Sequence, residues 1–396
     1  MRLHVCMSLL PCLTIALAAL VPLLAALHPP PPAAAGEDGE FLVYIGTYTG
    51  HESKGIYAYR FDARSGKLTP LGLAVEAKNP SFLAVHPNRR FLYAVNEVER
   101  DGTASAFSID AVTGKLTLLN QAPTLGDLPC YISLDHTGRA AFIANYASGS
   151  YTVRRIGDDG TLGEVTGNYD HDGFPPSGPH ADSRRQDKPH AHSFDISPDN
   201  RYVLGADLGL DKLFTYTFDP AEAGILPTDQ RFVTLQQGAG PRHAAFHPNG
   251  KFVYVADELN STVSVVAYNA ADGTLSPLRK ISTLPADFKG ENYPAEIAVH
   301  PNGKFLYVSN RGFDTITQFD IDPESGELSP VEQVSSKGKW PRNFAIDPTG
   351  AFMFVANEKS GNVTVFRIHP KTGRLSPAGQ SFHVPSPACV RFVPSR

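Results

Sequence analysis

Short apolar runs alternate with polar turns along this chain, and one such pattern recurs. Six segments share a form: a Pro, six residues, a second Pro or His, a polar turn, an apolar run, and an end containing Asn or Asp. They are 80–97 (PSFLAVHPNRRFLYAVNE), 129–146, 191–207, 241–258, 294–311 and 341–358. In the third, Ala191 replaces the first Pro and Pro189 stands two residues earlier. A seventh copy is split, with 387–394 (PACVRFVP) supplying its first strand and 41–47 (FLVYIGT) its second. The starts are spaced by roughly 46 to 62 residues, close to the period of propeller blades. Each copy continues with a strand such as 262–268 (TVSVVAY), a turn such as Asp272 and Gly273, and a strand beginning at Thr274. Turn glycines recur at Gly66, Gly114, Gly160, Gly273, Gly326 and Gly373, each with Leu two positions later. Short β-rich runs separated by Gly read as hairpins. The pattern predicts an all-β fold, a seven-bladed β-propeller whose last blade is closed by strands from both termini. A β-sandwich would not give seven copies, nor a split one.

Position within the repeat decides which residues matter. In a propeller the first strand of each blade starts at one face and lines the axis, and the second strand ends at that same face. The residue after the first Pro is Ser81, Cys130, His192, Arg242, Ala295, Arg342 or Ala388. The next is Phe82, Tyr131, Ser193, His243, Glu296, Asn343 or Cys389. The second strands end at Glu97, Tyr146, Asp207, Glu258, Arg311 and Glu358. Arginines, carboxylates and histidines therefore converge on one mouth, whereas deeper positions such as Leu83, Ile297 and Phe344 are apolar and expected to pack blade against blade. Features that repeat in most blades read as structural: the Asn or Asp of Asn96, Asn145, Asp257, Asn310 and Asn357, as turn formers, and the histidines His86, His247 and His300. Arg242, Arg311, Arg342, Glu258, Glu296 and His192 depart from the repeat and are the candidates for function. The long connection 167–189 (GNYDHDGFPPSGPHADSRRQDKP) precedes a first strand, so it lies on the same mouth. Loops of this length are often lids or binding loops, and His180, Arg185 and Gln186 are expected to reach a ligand there.

Composition narrows the alternatives. With 42% hydrophobic and 19% charged residues, 34 Gly and 33 Pro, the chain suits many short strands joined by turns. A net charge of -5 supplies no basic face, so nucleic acid is not an expected partner. Arg2 is the only early charge, 7–27 is an apolar run, and Ala33, Ala34 and Ala35 give an A-x-A cleavage pattern. The expected organisation is a signal peptide over 1–35, a short linker over 36–40 and the propeller over 41–396. That makes the protein exported, periplasmic or secreted, with no stable membrane insertion after cleavage. An uncleaved anchor is the competing reading, but Pro11 and Pro22 interrupt the run. Of four cysteines, Cys130 and Cys389 lie outside the leader, at different positions of non-adjacent repeats, and are expected as buried thiols. No Cys spacing suggests zinc or thiol catalysis.

Several separated strings carry a family resemblance: KPHAHSFDISPD (188–199), GPRHAAFHPNGKFVYVADELNSTV (240–263), YPAEIAVHPNGKFLYVSNRG (293–312) and WPRNFAIDPTGAFMFVANE (340–358). The chain resembles the lactonase family of seven-bladed propellers, the bacterial 6-phosphogluconolactonase type with its relative, the fungal carboxy-cis,cis-muconate cyclase, over essentially all of 41–396. The resemblance implies hydrolysis of a sugar δ-lactone at the channel mouth, without a metal or organic cofactor. It implies functional roles for His192, Arg242, Glu258 and Arg311, with His190 an alternative to His192 and Arg342 able to share the role of Arg311. Glu258 or His192 would serve as general base or acid and Arg242 would stabilise the oxyanion. Arg311 and Arg342 would clamp an anionic group of the substrate, in a site completed by Glu296, His243, Arg185 and Gln186. An exported enzyme would rarely meet a phosphorylated cytosolic lactone, so an unphosphorylated aldonolactone stands beside the family's 6-phosphogluconolactone as a candidate, and the sequence leaves the choice open. A non-enzymatic binding scaffold, a cyclase-like lactonising enzyme, and a metal-dependent lactonase or quinone-dependent sugar oxidase are the other readings; His190 and His192 could ligate a metal, but no Asp/Glu set with clear ligand spacing accompanies them.

Overall fold

A computed structural model describes residues 39–395, apart from 51, 175–181 and 183. The leader over 1–35, the first residues of the linker and His180 lie outside the described residues. Among the described residues twenty-eight strands form seven four-stranded antiparallel sheets, and there is no helix. The inner strands of blades 1 to 7 are Pro387–Pro394, Leu83–Val85, Pro129–Leu134, Ala191–Ile196, Pro241–Phe246, Tyr293–Val299 and Pro341–Ile346. Blade 1 is the split one. Its inner strand pairs antiparallel with Glu40–Thr47, from Phe41 opposite Pro394 to Thr47 opposite Pro387.

Burial explains the two kinds of apolar run. Second strands such as Phe252–Asp257 are buried at every residue, because neighbouring blades cover both faces of the sheet. Outer strands such as Thr274–Ser282 face solvent and are mostly polar and exposed. The core is accordingly a chain of inter-blade clusters. Ile297 packs with Phe252 and Tyr254, and Phe344 with Tyr307 and Met353, which places the deeper inner-strand residues where the repeat predicted them.

The repeated polar residues are ties. His86, His247 and His300 each set Nε2 at 3.0, 2.8 and 2.9 Å from a glycine carbonyl of the next blade, Gly138, Gly303 and Gly350. Tyr44, Tyr93, Tyr254 and Tyr307 donate to the hairpin glycines Gly114, Gly160, Gly326 and Gly373 of the following blade. Those glycines have positive φ, and a Cβ at Gly160 or Gly326 would stand 2.5 or 2.6 Å from Phe91 or Phe252, so the punctuation marks a close approach as well as a turn.

The Asn/Asp residues are structural, though they do not form turns. Asn145, Asp257, Asn310 and Asn357 are fully buried and bind Ser or Thr on the third strand of their own blade. Asp207 belongs to this set: it pairs with Ala191 as Asp257 pairs with Pro241. It is therefore not the mouth residue expected from the end of the second strand but stands one position before it, since blade 4 lacks a polar residue after it. Leu208 holds the mouth position there. Cys130 and Cys389 are free and buried, as expected.

Candidate active site

A β-bulge in the inner strands creates the mouth. In blades 3, 4, 5 and 7 the register slips by one residue after the first position, so that Cys130, His192, Arg242 and Arg342 have no partner on the second strand. An extra residue of this kind bends the strand and re-aims a side chain. Regular period-two pairing would have sent these four residues and their successors to alternate faces. The bulge lets Cys130, Arg242 and Arg342 line the throat, with His192 beside Cys130, while the apolar pattern resumes below them.

Glu258 is the electrostatic centre. The residue is 2% exposed. Oε1 lies 2.6 Å from Arg185 Nη2, and Oε2 lies 2.7 Å from Arg311 Nη2 and 3.0 Å from Arg242 Nε. Burial alone would push the carboxyl up, but Arg311, Arg242 and Arg185 together hold it well below the ordinary range. Arg242 donates to Ala295 O at 2.8 Å, and Arg311 to Tyr293 O at 3.1 Å, so both guanidinium groups are fixed by backbone as well as by charge. Burial, then the neighbouring Arg311 and Arg342, brings Arg242 down to about 10, still cationic at neutral pH.

His192 has the opposite character. Its Nδ1 is 3.7 Å from Cys130 Sγ, and its ring meets Tyr146 and His243 edge-on. Burial, reinforced by Arg242 and His243, holds its imidazolium well below the usual range, so the ring is neutral. Among the described residues Nε2 has no hydrogen-bond partner. Arg342 completes the throat. It lies over the Tyr48 ring at 5.0 Å, with Nη1 3.7 Å from Glu358 Oε2, and donates no hydrogen bond among the described residues. The throat is lined by Tyr48, Glu97, Cys130, Arg242 and Arg342.

The other expected site residues fall at different depths. His243 also lines the throat, but its Nδ1 turns to Glu296 Oε1 at 3.3 Å, and Asn343 binds the same carboxyl. Glu296 is therefore a buried member of the channel floor, pushed up by burial rather than free to meet a ligand. Arg185 projects from the 167–189 connection onto Glu258, with Nε donating to Tyr146 OH at 3.1 Å. Gln186, expected at the ligand, turns inward instead, donating to Leu208 O and Asp211 Oδ1. His190 stacks on Tyr146 at 4.5 Å and binds Asp187, away from the throat. Among the described residues no group of three His, Cys, Asp or Glu has metal-site geometry. Tyr48 was missed. It follows Thr47 as Glu258 follows Asp257, so extending the split repeat by one residue would have found it.

A model of the seven-bladed β-propeller lactonase family matches residues 42–392. The chain belongs to this lactonase family. It is similar to the 6-phosphogluconolactonase of Bacillus subtilis, 38% identical over 301 residues that cover 76% of this chain and 83% of that one. Among solved structures it is similar to a periplasmic gluconolactonase of Pseudomonas aeruginosa, with a TM-score of 0.84 and 37% identity, covering 90% of this chain and 100% of that chain. A putative 6-phosphogluconolactonase of Bacteroides fragilis superposes with a TM-score of 0.83 at 34% identity, over 90% of this chain and 98% of its own. In this lactonase-family propeller the four residues singled out by the resemblance, His192, Arg242, Glu258 and Arg311, share one mouth. No helix among its described residues is long and apolar enough to cross a membrane.

Proposed function

We propose that this protein hydrolyses a sugar δ-lactone to the aldonic acid, with an unphosphorylated aldonolactone as substrate and export as its setting. The observation that carries the reading is the contrast between His192 and Glu258, one neutral with a free ring nitrogen and the other an ionised carboxylate held by three arginines. His192 is then the general base: Nε2 takes a proton from water as its oxygen attacks the lactone carbonyl. Arg242 and Arg342 face the developing oxyanion. Collapse of the tetrahedral intermediate breaks the ring C–O bond, and the alkoxide leaves with the proton from His192, which returns the imidazole to neutrality. Glu258 holds the arginines in place and is a positioning residue in this scheme, although the resemblance left it open as a base.

The likeness to a periplasmic gluconolactonase supports an unphosphorylated ring, and the apolar leader supports export.

The test is hydrolysis of glucono-δ-lactone and its 6-phosphate by protein comprising residues 36–396, in EDTA, with spontaneous opening subtracted. Turnover of the unphosphorylated lactone that His192→Asn and Arg242→Ala abolish, with folding intact, is the expected result. Preference for the 6-phosphate would reverse the substrate assignment, and rates no faster than buffer on both would remove the hydrolase reading.

A further inference from the structure

Tyr48 borders three spaces at this mouth, and two of them also share Glu97. One is the narrow throat with Arg242 and Arg342. The other is a groove of about 610 Å³ that runs outward over blades 1 to 3, lined by Tyr48, Lys78, Glu97, Val98, Glu99 and Arg100. Glu97 also borders both spaces, so the groove opens directly beside the reaction centre. Its volume lies in the range of about 300–1,000 Å³ typical of ligand clefts.

The junction is stiff. Tyr48 OH donates to Glu97 Oε2 at 2.7 Å, and Asn79 Nδ2 donates to Glu97 O at 2.9 Å. Beyond the junction the lining is mixed. Lys78 and Arg100 balance Glu97 and Glu99, so the groove has no net charge to attract an anion. Val98, Leu128 and the Tyr48 ring supply apolar wall. Lys78, Glu99 and Arg100 are exposed and make no ion pair among the described residues. Donors and acceptors of both signs beside apolar patches match an uncharged polyol with C–H faces, which describes a pyranose ring.

We propose that this groove is a second sugar subsite, and that the protein takes the δ-lactone of a disaccharide oxidised at its reducing end. This inference rests on the lactone-hydrolase reading. The lactone ring sits at the throat and the glycosyl residue lies in the groove. Water adds to the lactone carbonyl and the ring C–O bond breaks, while the glycosidic bond stays intact. The product is an aldobionic acid. The reaction that supplies such a substrate is a two-electron oxidation of a disaccharide at its anomeric carbon.

Two measurements separate this inference from the reading beneath it. Hydrolysis of glucono-δ-lactone is compared with that of cellobiono- and maltobiono-δ-lactone. The expected result is a kcat/KM at least about tenfold higher for one disaccharide lactone, since contacts remote from the reacting atoms contribute to transition-state binding. Val98→Trp, which fills the groove, is expected to bring that ratio close to one. Calorimetric binding of cellobionic, maltobionic and gluconic acids needs no turnover, and one aldobionic acid is expected to bind more tightly than gluconic acid. If no lactone is hydrolysed, the hydrolase reading fails while acid binding still decides the groove. Equal kcat/KM and equal affinity for mono- and disaccharide ligands would overturn the subsite, as would a preference that Val98→Trp leaves unchanged.

Discussion

Arg185, carried by the connection between blades 3 and 4, sets Nη2 2.6 Å from Oε1 of Glu258, which sits at the end of the second strand of blade 5. A loop side chain thereby completes the arginine shell around a carboxylate that the rigid ring already holds with Arg242 and Arg311. The two ring arginines are almost wholly buried, while the Arg185 side chain is 34% exposed.

Removing the shared anion is expected to be costly. Glu258→Gln leaves buried guanidinium groups in mutual repulsion, and losing one partner of a buried pair typically costs about 3–5 kcal/mol. Denaturant unfolding should show a loss of that order. The kcat/KM for lactone should fall by about 10²–10³, comparable to removing an electrostatic group at an oxyanion. Arg185→Ala, at the solvent side of the shell, should raise KM while changing kcat and stability little.

The acid limb of the pH–rate profile should be displaced. A histidine base works only when neutral, and His192 is held neutral by burial and by Arg242 and His243. Its protonation, and with it the loss of kcat/KM, should come at a pH clearly below the value of about 6.5 for an ordinary histidine. A profile falling with a midpoint at that ordinary value would assign the base elsewhere.

Asp257 predicts a pH-dependent stability. Burial raises its carboxyl to about 7, against 3.8 for the unperturbed group. Between those values the folded state keeps a proton that the unfolded state has released, so stability falls as pH rises and levels off above about 7. Asn occupies the equivalent position in blades 2, 3, 6 and 7. Asp257→Asn should therefore be tolerated, and its advantage in unfolding free energy should grow from about pH 4 to pH 7, reaching roughly 2–4 kcal/mol in denaturant unfolding.

The inter-blade ties should be separable from catalysis. His300→Ala leaves Gly350 O without its buried donor, at a cost of about 1–3 kcal/mol. Thermal unfolding should register that loss while the lactone assay on folded protein does not change.

Much of the molecule was legible because its information is repeated. Seven copies of one strand pattern fix the ring, and the copy divided between Phe41 and Pro394 fixes its closure. Residues that broke the repeat, Arg242, Glu258, Arg311 and His192, did gather at one mouth. What could not be read was depth and direction. His243 stands one residue past its bulge, Glu296 lies within the irregular stretch between Pro294 and Ile297, and the two face each other across neighbouring inner strands. Gln186 lies beside Arg185 in sequence yet points into the protein, because its partners belong to Leu208 and Asp211. Asp207 was misplaced because its neighbour Leu208 is apolar, so polarity alone gave the wrong frame in blade 4. Tyr48 escaped because the split blade hid its own last position.

The divided blade also sets a clock on folding. The strand Pro387–Pro394 emerges after every other strand of the ring, and until it arrives Glu40–Thr47 has no inner partner. During synthesis at about 5–20 residues per second, the first strand must wait tens of seconds beside an incomplete arc of blades. Through that interval its Val43 and Ile45 stay open to rival strands, and whatever shields that edge governs how much of the chain reaches the closed ring.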